Sequence, residues 1–215
     1  MSANTAHLVR LMAWLSPVFP TGGFAYSAGL EQAVADHLVH DENTLHSWLE
    51  TLLIRGSFWN EAVLIAAAHK QEDDTESLSA LAASLAPSAE RHRETLDQGA
   101  AFLDAASAWG GSDLPRETPL PVALGAVCQS ASIPLIDTLT ASLQTLISNQ
   151  LQAAIRLSLI GQTGAARLLA ALEPIVLATA ARAETSTLDD LGGSAFLADI
   201  ISARHETLEP RIFLS

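Results

Sequence analysis

Phe19-Pro20-Thr21-Gly22-Gly23-Phe24-Ala25-Tyr26-Ser27-Ala28-Gly29-Leu30-Glu31 holds a backbone break, the single tyrosine of the chain and a helix start. Upstream, Leu8, Leu11, Met12 and Leu15 recur at i, i+3, i+4 and i+7, the spacing of an amphipathic helix. Pro17 and Pro20 end that helix, because proline removes a main-chain donor and clashes with the preceding turn. Gly22-Gly23 then supplies a turn. Ala25-Tyr26-Ser27-Ala28-Gly29 imitates a G-x-S-x-G nucleophile elbow. An elbow needs a strand before the serine, so that the hydroxyl sits on a strained turn. Here a helical pattern precedes it, so Ser27 is expected in or near the first turns of the next helix. A serine hydrolase using Ser27 is therefore the lesser alternative.

Helical periodicity continues outward from this stretch. Leu45, Leu49, Leu52 and Leu53 make one face behind Asp41, a candidate N-cap. Leu78, Leu81 and Leu85 make another. Pro119 and Pro121 suit a helix start, and Val122 to Cys128 is assigned as helix. Leu139, Leu143, Leu146 and Ile147 belong to a long helix beginning near Pro134. Thr187-Leu188-Asp189-Asp190 has the form of a capping box opening the last helix. Lys70 to Asp74 is expected as a solvated acidic connection. Trp109-Gly110-Gly111-Ser112-Asp113-Leu114-Pro115 links the two halves and is a candidate hinge. The expected fold is all-α, one multi-helix bundle over residues 1–215, with a partner-binding C-terminal tail at about 204–215.

Composition supports that class and narrows the function. Residues of hydrophobic type make up 49% of the chain but aromatics only 5%. The core is therefore built from Ala and Leu, which favours packed helices over strands rich in Val, Ile and Tyr. The net charge is −13 and Lys70 is the only lysine. Nucleic-acid binding needs clustered cations against phosphates, and none occur, so no nucleic-acid partner is expected. An anionic membrane surface is disfavoured for the same reason. Cys128 is the only cysteine, which forbids an intrachain disulfide and suits a reducing compartment. The apolar run from Leu168 to Ala181 is expected to be broken by Glu173-Pro174, and too short to span a bilayer. No signal-peptide layout is seen, and a cytoplasmic location is expected.

Catalytic and metal motifs are sparse. Lys70 lacks the glycines of a phosphate-binding loop, so no nucleotide hydrolysis is expected. His69-x-x-Glu72 reads as a surface pair. His37, His40 and His46 suggest a weak imidazole site, against a simpler role at helix ends. No metal site and no cofactor are assigned, and the chain is read as a non-enzyme. Bottom-up, this leaves a helical protein-interaction module. Glu31 falls four residues after Ser27, on one helix face. Ile212-Phe213-Leu214 is an apolar triplet worth about 1.5–3 kcal/mol per large side chain if covered. Its cover is either the chain's own core or another subunit.

Three segments in order extend this reading. Leu15-Ser16-Pro17-x-x-Pro20-x-Gly22-Gly23-Phe24-x-Tyr26-Ser27-x-Gly29-Leu30-Glu31 resembles the N-terminal signature of the UreF family of urease accessory proteins. Arg156-Leu157-x-x-x-Gly161-Gln162-Thr163 is similar to that family's internal helix segment. Ala203-Arg204-His205-Glu206-Thr207, followed by Arg211-x-Phe213-x-Ser215, resembles its C-terminal signature. Arg93-Glu94 and Gly99 match a weaker pattern between them. Ala25, Leu159-Ile160 and Glu209-Pro210 depart from the family's usual residues.

The resemblance implies a non-enzymatic scaffold in urease maturation. It implies binding to a UreD/UreH-type protein and to the GTPase UreG, with nickel delivered to apo-urease by the assembly. It also implies a homodimer within that complex and control of the GTPase. The residues carried over as partner-binding are Pro20, Gly22, Gly23, Phe24, Tyr26, Ser27, Glu31, Arg204, His205, Glu206, Arg211 and Phe213. The segment Arg204 to Ser215 is expected to become ordered on its partner.

Overall fold

The computed structural model describes residues 3–110 and 112–215. Among the described residues there are ten α-helices and no strand. They are α1 Ala3–Trp14, α2 Leu30–Ala35, α3 Glu42–Arg55, α4 Ser57–Lys70, α5 Thr75–Ser84, α6 Ala89–Ala106, α7 Leu120–Ser130, α8 Leu135–Arg156, α9 Gln162–Glu184 and α10 Phe196–His205. Short 3-10 turns lie at Gly23–Ala25, Ser107–Trp109 and Leu188–Asp190.

Local chemistry fixes where these helices begin. Before α3 the Asp41 carboxylate accepts the Thr44 N–H at 2.8 Å, and Thr44 Oγ1 accepts the Asp41 N–H at 3.0 Å. That reciprocal box satisfies two otherwise orphaned groups. Asp74 caps α5 through the Ser77 N–H at 2.9 Å, and Ser88 caps α6 through the Arg91 N–H at 3.2 Å. Pro119 and Pro134 stand at the entries to α7 and α8, where no intrahelical donor is lost.

The helices pack by close approach of small residues. α4 lies against α7, its most extensive neighbour, and contributes Ala62, Ala66, Ala67 and Ala68 to the interior. A Cβ on Gly125 of α7 would sit 2.5 Å from the Ile65 carbonyl oxygen, and one on Gly99 of α6 would sit 2.0 Å from that of Thr118. Larger residues there would push these elements apart. The larger buried cluster runs from Leu11 through Phe58, Phe102, Leu143 and Leu172 to Phe213. It draws on both sides of the Trp109–Pro115 link. Trp109 packs edge-on to Trp14, with centroids 6.0 Å apart. The hinge assignment includes Gly111, which lies outside the described residues.

Four sequence expectations change. In α1 the buried residues are Leu11 and Trp14, whereas Leu8 and Met12 are exposed. The apolar periodicity was shared between two faces, and the tryptophan decided which one turned inward. The Thr187 capping box forms, but it opens only the 3-10 turn Leu188–Asp190; the last helix starts at Phe196. His69 is half-buried and its Nε2 lies 2.8 Å from the Ile133 carbonyl oxygen, so it joins elements rather than sitting free on the surface. Finally, Glu173-Pro174 does not break α9, which runs for 23 residues and is long and apolar enough to cross a membrane. Pro174 and Ala170, whose carbonyl loses its partner, both lie on the exposed side, where water meets the missing bond. The other side of α9 packs through Leu168, Leu172, Val176 and Ala180.

Gly99→Ala tests the helix approach. The clash is with main-chain atoms that cannot swing aside, so the variant should lose about 1–3 kcal/mol. Urea denaturation should show a lower midpoint at unchanged slope. An unchanged midpoint would mean that α6 and the residue 118 segment are not in rigid contact.

Candidate functional site

The signature loop and the C-terminal segment meet on one side of the bundle. Gly29 takes φ +84°, and a Cβ there would lie 3.1 Å from Ser202 Cα in α10. Glycine at this point lets α10 cross directly over the start of α2. The crossing sets His205, at the end of α10, above Glu31 of α2.

Glu31 is almost fully buried and its carboxylate is fully used. Oε1 accepts the Ile212 N–H at 2.7 Å, and Oε2 accepts the Phe213 N–H at 2.9 Å. His205 Nε2 lies 3.1 Å from the same Oε2. The opposite ring nitrogen, Nδ1, lies 2.7 Å from Glu90 Oε2 on α6. Glu90 Oε1 accepts from Arg211 Nη1. One turn along α6, Glu94 Oε2 accepts the Ser215 hydroxyl at 2.6 Å. Residues 206–215 thus form a strap tied to three carboxylates.

Ser27 completes the attachment. Its N–H and hydroxyl both donate to the Ser215 carbonyl oxygen, at 2.8 and 2.5 Å, and Leu214 N–H donates to the Ala25 carbonyl at 2.9 Å. Ser27 Oγ also accepts the Glu31 N–H at 3.3 Å, and the Ser27 carbonyl accepts from Gln150 Nε2 at 2.9 Å. The hydroxyl is buried and committed to the main chain, with a 3-10 turn rather than a strand before it. That is not the environment of an activated nucleophile.

A second ionic layer lies beneath the strap. Arg91 donates to Glu94 at 2.5 Å and to Glu61 of α4 at 2.8 Å. Burial pushes the Glu61 carboxyl up, with Arg91 pulling it back in part. Arg91 itself is pushed up: burial opposes its charge, but Glu94 and Glu61 outweigh that. Gln98 donates to Glu94 at 3.1 Å. Glu61 and Gln98 also wall a cavity of about 70 Å³ under the signature loop, facing Trp14, Phe19 and Phe102. Burial, then Asp97 and Glu94, pushes the Tyr26 hydroxyl up.

The candidate residues divide accordingly. Ser27, Glu31, His205, Arg211 and Phe213 come together in the strap attachment. Phe213 is buried, with the Arg156 guanidinium 4.2 Å above its ring. Arg156 also donates to the Phe24 carbonyl, so one side chain joins α8, the signature loop and the strap. Pro20 and Phe24 are exposed, and Gly22, Gly23 and Tyr26 are half-exposed. Arg204 is exposed and pairs with Asp36 at 2.7 Å. Glu206 accepts the Ala89 N–H at 2.8 Å.

The strap is thus ordered on its own chain, which corrects the expectation that it orders only on a partner. The burial of the apolar triplet is split: Phe213 is inside, whereas Ile212 and Leu214 face out.

The chain shares long stretches with named proteins. A family model described as UreF matches residues 39–173. The urease accessory protein UreF of Mesorhizobium japonicum is 52% identical over 214 residues, covering 97% of this chain and 96% of that protein. The corresponding protein of Agrobacterium fabrum is 50% identical over 223 residues, covering both in full. That of Brucella ovis is 49% identical over 217 residues, covering 98% and 95%.

The chain belongs to the UreF family.

In this UreF-family chain Ile160, of the Leu159-Ile160 departure, is buried in the core, whereas the other two departures fall where side chains matter least. Ala25 takes part through its carbonyl oxygen, and Glu209 and Pro210 are exposed. Among the described residues, no group of three or more His, Cys, Asp or Glu is placed to hold a metal ion. His37 and His40 are exposed, and His46 faces Glu50 at 3.7 Å. Cys128 is buried, and burial pushes its thiol up to about 12, as expected for an inert thiol. Sequence reasoning missed Glu90 and Arg91 on α6 and Gln150 on α8, and it quoted Arg156 only within a family-like segment, not as a contact.

Removing Glu31 should unfasten the strap. Glu31→Ala strands two amides and a histidine and should cost about 3–5 kcal/mol. Glu31→Gln keeps an acceptor and should cost less. Trypsin cleavage after Arg211, followed by mass spectrometry, reads this directly. Equal resistance in Glu31→Ala and the parent would show that the strap is held by something else.

Proposed function

We propose that this chain is a non-catalytic scaffold in urease maturation. In this reading it bridges a UreD/UreH-type protein and a UreG-type GTPase in the cytoplasm, and the assembly delivers nickel to apo-urease and couples delivery to the GTPase. The observation that carries the docking assignment is the apolar face of α10. Phe196, Leu197 and Ile200 fall at i, i+1 and i+4 and are 69%, 56% and 56% exposed. Leu38 stands beside a groove of about 380 Å³ floored by Val39, Trp48 and Ala198. Ile212 and Leu214 of the strap add two further apolar side chains on the exposed surface. Contiguous exposed apolar surface of this kind marks interaction sites in soluble chains.

We assign the α10 face and the strap edge to the UreD/UreH-type partner. The signature rim, at Pro20 and Phe24, is assigned to the GTPase. Leu8, Val9 and Met12 on α1, with Val18, form another exposed apolar set, assigned to pairing of two copies. Nickel passes through the assembly without tight binding by this chain. A serine hydrolase is disfavoured by the bonding of Ser27.

Co-purification of the chain with a UreD/UreH-type protein and the GTPase, sized by light scattering, tests the scaffold. Leu197→Asp with Ile200→Asp places charge in the α10 face while leaving the buried side untouched. Loss of central anchors costs at least about 2 kcal/mol each, so binding of the UreD/UreH-type partner should fall at least 30-fold, with the helical circular dichroism spectrum retained. Full binding by this variant would remove the α10 assignment. Elution of all three proteins separately would remove the scaffold reading.

A further inference from the structure

α10 turns Ala198, Ile201, Ser202 and His205 inward and leaves Phe196, Leu197 and Ile200 in solvent. Asp199 sits among the outward residues, three positions after Phe196. Residues at i and i+3 are neighbours on a helix surface, so Asp199 and the Phe196 ring share one edge of the outward face. Asp199 is half-buried, and burial pushes its carboxyl up with no cation pulling it back. Among the described residues, no hydrogen bond and no ion pair reaches its carboxylate. The first turn of a helix favours an acid, which accounts for the charge of Asp199 but not for its burial without a partner.

The other charged groups around α10 are all committed. Asp36 holds Arg204, Glu90 holds Arg211, and Glu206 takes the Ala89 amide. Deeper in, Glu61 and Glu94 share Arg91. Arg156 is engaged with the Phe24 carbonyl and the Phe213 ring. Arg55, whose carbonyl accepts the Ser194 N–H just before α10, is exposed, and no ion pair joins it to Asp199 among the described residues. Two of these cations show what a ring with an oxygen acceptor beside it holds. Arg182 lies 3.4 Å from the Trp59 ring centroid and donates to the Ile54 carbonyl at 2.6 Å. Arg156 lies over Phe213 and donates to Phe24. In each case one guanidinium takes a ring by its face and an oxygen by its N–H groups. Phe196 and Asp199 offer the same pair of groups, with no guanidinium of this chain upon it. A lysine would be more strongly hydrated and has no planar face to stack. The net charge of −13 further makes this chain complementary to a basic surface.

We propose that Phe196 and Asp199 form a receptor for one arginine side chain of the protein that docks on α10, and that this pairing selects the partner. The guanidinium stacks on the exposed ring and donates to the carboxylate as apolar surface closes around both. A carboxylate covered by an interface loses hydration, and a cation arriving with the partner offsets that loss. A partner without the arginine would bury Asp199 unpaired, so the same residue that favours the right partner opposes others. Leu197 and Ile200 supply apolar area, and Asp199 supplies discrimination. The inference rests on the assignment of the α10 face to the UreD/UreH-type protein and names the side-chain chemistry by which that face would recognise it.

Dissociation of the full chain from the UreD/UreH-type protein tests the receptor. Asp199→Asn keeps the size of the side chain and removes its charge, and should speed dissociation by about 30-fold or more. Phe196→Leu keeps an apolar side chain and removes the ring, and should speed it by about fivefold. Each arginine of the partner is then changed to alanine in turn. One of these changes should weaken binding to the parent chain as strongly as Asp199→Asn does, yet add little when combined with Asp199→Asn. Phe196→Leu against the same arginine gives a second cycle should Asp199→Asn fold poorly. Unchanged dissociation of a folded Asp199→Asn chain would overturn the proposal, as would additive losses for every arginine of the partner. If Leu197→Asp with Ile200→Asp abolishes binding while Asp199→Asn leaves it intact, the docking face stands and only the arginine receptor falls. If the parent chain does not bind the UreD/UreH-type protein, the docking assignment itself falls, and the receptor with it.

Discussion

One carboxylate holds the two ends of this chain together. Glu31 accepts two consecutive strap amides and faces His205, all in a site that is nearly dry. A buried carboxylate costs several kcal/mol in lost hydration unless its lone pairs are met. Here they are met by the segment that lies farthest away in sequence. The signature loop therefore cannot reach its folded form with Glu31 satisfied unless residues 212 and 213 have arrived. The same contact gives the strap its alternation. With the amides of 212 and 213 turned to Glu31 and that of 214 to Ala25, Phe213 goes inward beneath Arg156, while Ile212 and Leu214 are left in solvent.

The bundle beneath is arranged to receive this attachment. Gly99 and the Ala-rich face of α4 let α6, α7 and α4 approach closely. That approach brings Glu61 of α4 to Arg91 of α6, and Arg91 to Glu94. The layer is costly to bury as isolated charges, and it is tolerated because each group is paired and hydrogen-bonded. It also gives Glu94 a fixed position from which to take the Ser215 hydroxyl. Packing of small residues and placement of charge are thus one constraint seen at two levels.

Much of the architecture was legible because it rests on local patterns. The Leu45–Leu53 face behind Asp41, the Pro134 entry to α8 and the all-α class follow from periodicity, capping and composition. Where the reading failed, tertiary contacts decided. The α1 stripe turned about its axis because Trp14 packs against Phe102 and Trp109. Pro174 sits inside α9 because the freed carbonyl meets water. The site was half legible. Ser27, Glu31, His205, Arg211 and Phe213 stood out by resemblance, but as contacts for other proteins rather than for one another. No local rule pairs Glu31 with an amide 181 residues away. Glu90 and Arg91 drew no notice and Glu94 stood only in a weak family match, because the strap and α4 that cover them are remote in sequence.

That division bears on which residues this chain presents at its surface. Charged and hydrogen-bonding residues that resemble contact residues are here spent internally, on fixing the strap and the crossing of α10 over Gly29. What remains outside is apolar: Phe196, Leu197 and Ile200 on α10, Ile212 and Leu214 on the strap. A buried ionic cluster is sensitive to the loss of any one member, whereas scattered apolar side chains lose area only in proportion. Under the proposed docking assignment, substitutions in the cluster would act on partner binding through the position of the strap, and substitutions on the apolar face would act on it by contact. The two classes separate by experiment, since only the first changes exposure of the strap in the chain alone.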